Sequence, residues 1–142
     1  LKDQELILRV LALYVESSEY TSPLKTFLND FLGNHRDGDD IPLDQLGELF
    51  RDAAKVVATY VGKRAFRLGT QVNAAILDSV FVGIMDRLAN TGKKAVTGAR
   101  WAVAYDKLLA NSTYLDAVTK ATANENSVTT RLLEARKVFA RL

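Results

Sequence analysis

The sequence predicts an all-α protein, a compact bundle of six or seven helices around one central apolar helix. Every stretch with periodic apolar residues repeats at about 3.6 residues, and none alternates with the two-residue period of a strand. The segment that follows Asn73 is apolar around most of its circumference, whereas a surface helix keeps its apolar residues to one stripe. This segment is therefore predicted to be central, with these residues in the core: Ile76, Val80, Phe81 and Ile84.

The central helix also contains a glycine, Gly83, at a position where alanine would be about 1 kcal/mol better for helix formation. A close approach by a neighbouring helix is the expected reason for it. Asn73 is predicted to cap the helix by accepting hydrogen bonds from its free amides.

Three helices are predicted before the central one, from apolar residues at helical spacing: Lys2 to about Ser17, Pro23 to Gly33, and Pro42 to Val61. Ser22 precedes a proline and is the expected cap of the second helix. Gly33 and Gly62 are the expected stops of the second and third.

Two polar connections lie between these helices. Residues 34–40, Asn-His-Arg-Asp-Gly-Asp-Asp, are predicted to form a surface loop with His35 solvated. No metal site is expected there, because the bidentate glutamate and the spacing of a calcium loop are missing. Residues 63–71 hold three cations just before the central helix, which makes them a candidate anion site. The alternative is that Asn73 only caps the helix and Phe66 anchors the loop in the core.

Three more helices are predicted after the central one: Val96 to Ala110, Tyr114 to Thr122, and a last helix capped by Ser127 or an adjacent polar residue. Residues 91–94, Thr-Gly-Lys-Lys, are predicted to form a turn. Ser112 or Thr113 is the expected cap of the short helix. In the helix before it, the residues expected to be buried are Ala99, Val103 and Leu108.

We expect this chain of 142 residues to be one domain of a longer, multidomain protein, because it begins at Leu1 and its only methionine is Met85. Cysteine is absent, which excludes disulfides, thiolate zinc sites and cysteine nucleophiles. No apolar run is long enough for a membrane span. A cytoplasmic location without membrane association is therefore expected.

Charge is divided unevenly along the chain. Residues 1–86 contain nine Lys and Arg against thirteen Asp and Glu, whereas residues 87–142 contain ten against four. This asymmetry indicates either a polyanion partner or a helical domain whose acidic and basic faces meet each other or a further domain. If the partner is DNA, the cations expected to cluster and contact it, weakly and without sequence preference, are Lys93, Lys94, Arg136, Lys137 and Arg141.

Segments from nearly the whole chain carry a resemblance to one family: LKDQELILRVLALY, SPLKTFLNDFL, LFRDAAKVVATYVGKRAFR, NAAILDSVFVGI and ATANENSVTTRLLEARKVF. The most specific part is Ala65-Phe66-Arg67 followed by Asn73 and an apolar helix. Together these segments resemble the C-terminal helical half of the GmrSD-type restriction proteins, a ParB/sulfiredoxin-like nuclease family that was formerly a domain of unknown function.

The resemblance implies a role in defence against modified or foreign DNA, as part of a nucleotide-dependent DNA endonuclease. In that family a ParB/sulfiredoxin-like half precedes the helical half, and many members add a His-Asn-His-like nuclease domain. Neither is present in this sequence. The resemblance therefore implies a non-catalytic scaffold or interaction module that needs no cofactor of its own and packs on the missing N-terminal half. Phe66, Arg67 and Asn73 are motif positions to which no role is assigned.

Two other classes of function stay open. The chain is alternatively a stand-alone protein–protein interaction or regulatory domain whose apolar residues face a partner. An independent enzyme is the third reading, but the sequence has no cysteine, one loop histidine, no paired carboxylates on a recognisably buried face and no glycine-rich phosphate loop.

Overall fold

A computed structural model describes residues 2–90 and 92–142, so that Thr91, the first residue of the predicted turn, lies outside it. The described residues form seven α-helices, which confirms the all-α prediction: α1 Lys2–Glu16, α2 Leu24–Asn34, α3 Leu43–Val56, α4 Ala74–Ala89, α5 Gly98–Leu109, α6 Ser112–Thr119 and α7 Glu125–Ala140. Within these ranges no strand is found, and one isolated bridge pairs Arg67 with Val72. None of these helices is long and apolar enough to cross a bilayer.

Helix α4 is the centre of the bundle, as predicted. Eleven of its 16 residues are buried, so it must have neighbours on several sides, and α7, α1 and α3 pack against it. All four residues expected in the core are buried. Phe81 stacks on Phe50 from α3, with ring centroids 4.8 Å apart.

The glycine in α4 allows close packing, which also agrees with the prediction. A Cβ atom placed on Gly83 would lie 2.9 Å from the backbone oxygen of Ala135 in α7 and 2.9 Å from a ring carbon of Phe139. These distances are shorter than van der Waals contact, so only glycine lets α7 approach this closely.

Two apolar clusters lie on different sides of α4. The larger is built mainly from α4 and α5, with residues from α1, α3, α6 and the second half of α7, and it contains Trp101, Tyr105 and Phe139. The smaller joins α1 and α2 to the first half of α7, with Val82 as the contribution from α4. The central helix therefore belongs to both clusters.

The start and end of α2 differ from the prediction. Pro23, not Ser22, occupies the cap position, and no side chain caps the helix. The Ser22 hydroxyl instead donates to Oε1 of Glu125 at the start of α7, 2.9 Å away. Gly33 does not stop the helix, because it keeps a negative φ and the helix continues to Asn34.

The third predicted helix is divided in two. Helix α3 ends at Val56, and residues Val57–Val61 form a π-helical turn. Gly62 ends this turn at a φ of +77°, which agrees with the predicted stop because glycine adopts positive φ without strain.

The caps of the last two helices are asparagines that precede the predicted residues. Oδ1 of Asn111 accepts from the amides of Thr113 and Tyr114 and so caps α6, where Ser112 or Thr113 was expected. Asn124 caps α7 by accepting from the amide of Ser127 at 2.8 Å. A short side-chain carbonyl reaches these amides well, which explains why asparagine performs the role.

Two residues of α5 expected in the core are not there. Val103 is 66% exposed and Ala99 is also exposed, whereas Leu108 is buried as predicted. The buried stripe of α5 is Trp101, Ala104, Tyr105 and Leu108. This stripe has the spacing i, i+3, i+4, i+7, and Val103 lies outside it.

Candidate functional site

The motif position Asn73 has a structural role that uses both ends of its amide. Its Oδ1 accepts from the backbone amides of Ala75 and Ile76, at 2.9 and 3.0 Å. Its Nδ2 donates to the carbonyl oxygen of Val118 at 2.9 Å and so ties the start of α4 to α6. The predicted cap is confirmed.

Phe66 anchors the preceding loop. Its ring stacks on Phe81 with centroids 5.6 Å apart. Its backbone amide donates to the Tyr105 hydroxyl at 2.9 Å, and its carbonyl accepts from the amide of Asn73 at 2.7 Å. These contacts hold an aromatic residue at a φ of +64°, which costs free energy when unsupported.

Two of the three cations of the same loop, Arg64 and Arg67, are used within the fold. A guanidinium nitrogen of Arg67 donates to the carbonyl oxygen of Thr70. Arg64 pairs with Asp106 at 2.5 Å and lies over the Tyr105 ring. Since Asn73 already occupies two amides of the α4 N-terminus, the geometry favours the anchoring alternative over the anion site.

The five candidate nucleic-acid contacts do not form one cluster. Nε of Arg136 lies 2.6 Å from a carboxylate oxygen of Asp86 in α4, and its guanidinium donates to the Ser17 hydroxyl just after α1. The Lys93 ammonium donates to the carbonyl oxygen of Ala140, and Lys94 is exposed on the same connection. Of the five, Lys137 and Arg141 line a common cavity. The separation has a simple cause, because successive helical residues point about 100° apart.

Lys137 and Arg141 belong to a groove between α5 and α7. Two cavities, of about 320 and 260 Å³, share Lys107, Val138 and Arg141 in their linings and so adjoin each other. The start of α5 lies opposite the end of α7, and the end of α5 lies opposite Glu134 and Lys137, so the two helices run antiparallel. We call this feature the α5–α7 groove.

The α5–α7 groove combines an apolar floor with cationic walls. Val103, Ala104 and Val138 are among the apolar residues of the floor. The cations are Arg100 and Lys107 from α5 and Lys137 and Arg141 from α7. One carboxylate lines the groove, that of Glu134, which lies 3.8 Å from the Lys137 ammonium and 3.3 Å from Nδ2 of Asn111.

Arg100 and Lys107 were not predicted as site residues. They recur with Val103 at i, i+3, i+7, a spacing that places all three on one face of a helix. The pattern was present in the sequence, but the assignment of Val103 to the core concealed it.

A second unpredicted feature is a buried ion cluster. Asp78 of α4 and Arg131 of α7 are both fully buried. Nε and Nη2 of Arg131 donate to the two carboxylate oxygens at 3.0 and 2.9 Å. Arg9 of α1 donates to the same carboxylate at 2.9 Å. The cluster joins three helices.

His35 is held by two carboxylates, in contrast to the predicted solvated residue. Its Nδ1 lies 2.7 Å from a carboxylate oxygen of Asp40, and Nε2 bonds to Glu16 of α1. These hydrogen bonds, above all the one to Glu16, raise the pKa of His35 above its ordinary value. The contact fastens the polar loop onto α1.

A further cavity, of about 630 Å³, lies between α1 and α2. Its apolar lining consists of leucines: Leu8, Leu24, Leu28 and Leu32. At its rim Glu5 and Lys25 carry opposite charges, so the charge there does not indicate a partner.

Comparison of the chain with family models, curated proteins and solved structures found no match in any of the three. The resemblance to the helical half of GmrSD-type proteins stays a prediction from the sequence. The α5–α7 groove is the feature of the fold that best supports a function.

Proposed function

We propose that this chain is a non-catalytic helical interaction module of a GmrSD-type DNA-defence protein. In this proposal the α5–α7 groove packs against an acidic and partly apolar surface of a partner in the cytoplasm. The first candidate is the ParB/sulfiredoxin-like half of the same protein. The observation that carries the proposal is the groove itself, in which Val103, 66% exposed, lies with Ala104 and Val138 between cationic walls. Exposed apolar surface with a polar rim is typical of interaction sites.

An enzymatic function has less support among the described residues. Both ring nitrogens of His35 are engaged by carboxylates, so neither is free to act as a base. The hydroxyls of Ser79 and Tyr114 lie 2.7 Å apart but are fully buried, and burial raises the pKa of Tyr114. No group of three or more metal-ligating side chains occurs in residues 2–90 and 92–142.

Contact with DNA is the second candidate, and the cations of the groove favour it. The groove supplies four cations, but its floor is apolar. Arg136, a further candidate contact outside the groove, is paired with Asp86. We therefore expect duplex DNA to bind weakly, with a Kd no tighter than about 10⁻⁴–10⁻⁶ M at physiological salt, and with a strong salt dependence. Fluorescence anisotropy across a salt series measures both quantities.

The test of the main proposal begins with the reading frame upstream of this chain. A sulfiredoxin-like half encoded there is expected to co-purify with the chain when the two are expressed as separate polypeptides. The double variant Lys107→Glu, Arg141→Glu should reduce the recovery about tenfold or more, because it reverses two charges of the groove. Lys55→Glu, on an exposed part of α3, is the matched control.

Two results would overturn the proposal. An upstream frame without a sulfiredoxin-like half would remove the assignment to this protein family. A half that binds the double variant as well as the unaltered chain would show that the groove is not the interface.

A further inference from the structure

We infer that the α5–α7 groove binds one acidic amphipathic helix, with its apolar residues on the floor and its carboxylates against the cations of the walls. The inference rests on the proposed function, since it specifies the partner of the same groove. It commits to the chemistry and secondary structure of the bound segment.

The length and shape of the groove fit a helix. The two cations of the α5 wall, Arg100 and Lys107, are seven residues apart, which is about 10 Å along a helix axis. The groove continues beyond them to Asn111 and, at the other end, to Leu142. A helix of three to four turns, anchored by apolar residues at i, i+3 or i+4, and i+7, is the segment that fills such a groove.

The positions of the charges determine which kind of helix fits. Lys137 and Arg141 are four residues apart on α7, so they lie one turn from each other on one wall. Glutamates four residues apart on the bound helix match this spacing. Glu134, the carboxylate of the lining, is already engaged by Lys137 and Asn111. Asp106 on α5 is paired with Arg64, which leaves the cations of the groove in excess.

The apolar floor favours a peptide over a nucleic acid. Phosphates can pair with the cations, but a sugar–phosphate backbone would leave Val103 and Val138 in contact with water. Leucine side chains on an amphipathic helix cover the floor while carboxylates reach the walls. One ligand then satisfies both properties of the groove.

The probe is a fluorescein-labelled peptide of about 18 residues, with leucines on one helical face and glutamates on both flanks. Its anisotropy is measured against the 142-residue chain. We expect micromolar binding, about tenfold weaker for the double variant Lys107→Glu, Arg141→Glu and for Val103→Asp. Lys55→Glu should stay within about twofold of the unaltered chain. Circular dichroism verifies that each variant is folded, and Val103→Asp changes an exposed position that tolerates substitution.

Three outcomes contradict the inference. They are equal binding of a scrambled peptide of the same composition, displacement of the peptide by single-stranded DNA at lower concentration than by unlabelled peptide, and binding that is unchanged in both variants. If the peptide fails while the double variant still blocks co-purification of the sulfiredoxin-like half, the helical ligand is wrong and the proposed interface stands. If neither measurement responds, both proposals fall.

Discussion

Asp78 carries a buried charge that the fold must compensate. Its carboxylate receives hydrogen bonds from Arg131, which is fully buried, and from Arg9, which is partly exposed. Removing one member of a buried pair leaves the other as an uncompensated charge, which is more costly than the loss of the contact itself.

Asp78→Asn is therefore expected to lower the free energy of unfolding by about 3–5 kcal/mol, as measured by urea denaturation. Asp52→Asn, at an exposed position of α3, should change it by less than about 0.5 kcal/mol. The double variant Asp78→Leu, Arg131→Met should lose less than Asp78→Asn, because it removes the fully buried cation of α7 together with its partner. A loss below about 1 kcal/mol for Asp78→Asn would mean that Arg131 reaches solvent.

The sequence contained part of the signal for this pair. A charge that lies on the apolar part of a buried helix has to be paired, so Asp78 in the middle of this segment was compatible with a cation partner on another helix. The partner was not predictable, because Arg131 shares its segment with Arg136, Lys137 and Arg141, and nothing in the sequence shows which arginine faces inward.

His35 gives the protein a pH-dependent contact. Hydrogen bonds from the ring N–H groups to the carboxylates of Glu16, the larger cause, and Asp40 raise the pKa of His35 above its ordinary value of 6.5. Because the pKa of His35 is higher in the folded than in the unfolded protein, the contact gives its full stabilisation at pH values below the unfolded-state pKa. This stabilisation is lost as the pH rises through the folded-state pKa.

Stability from this contact should therefore fall as the pH rises from the ordinary value of 6.5 to the raised pKa, and His35→Gln should remove that part of the pH dependence. Urea denaturation at several pH values compares the two proteins. NMR titration gives the folded pKa directly, because His35 is the only histidine in the chain. A measured pKa at or below 6.5 would show that the two carboxylates do not hold the ring.

At the scale of the helices, two glycines in different surroundings can be compared. A Cβ on Gly83 of α4 would lie 2.9 Å from the backbone oxygen of Ala135 in α7, whereas a Cβ on Gly33 of α2 would meet nothing within 4 Å. Alanine improves helix propensity by about 1 kcal/mol at both sites, but at Gly83 it also forces two helices apart.

Gly83→Ala should therefore destabilise the protein by about 1–3 kcal/mol, the usual range for overpacking, whereas Gly33→Ala should stabilise it by about 0.5–1 kcal/mol. Thermal and urea denaturation of both variants give the two values. Equal stabilisation by both substitutions would show that α4 and α7 are farther apart than the structure has them.

Helix positions were more predictable than helix ends. The 3.6-residue period located all seven helices. It did not decide the caps, because Asn111 and Ser112 are adjacent and both residue types are favoured at an N-cap. The choice depends on where the incoming backbone turns, which is a property of the tertiary packing. Val103 shows the same limit for the faces of a helix. An apolar residue at helical spacing can lie in the core or on a binding surface, and the sequence alone does not distinguish the two.

At the scale of the whole molecule, α4 contributes residues to both apolar clusters. If α4 leaves one cluster, the other cluster is exposed as well. We expect a single cooperative unfolding transition. Trp101, the only tryptophan, is buried in the larger cluster and reports on it by fluorescence. Its transition in urea should coincide with that of far-ultraviolet circular dichroism, which should show a helical spectrum. A fluorescence transition at lower urea would mean that the larger cluster opens separately.

The buried charge of Arg131 also decides where α7 can rest along α4. Apolar contact is not directional and by itself resists poorly a slide of α7 by one turn, about 5.4 Å. Such a slide would carry Arg131 away from both oxygens of Asp78 and from the carbonyl oxygen of Thr122. Neighbouring registers of the two helices are thereby excluded. Because α7 also forms one wall of the groove, Asp78 sets how Lys137 and Arg141 align with Arg100 and Lys107, although it lies outside the groove lining.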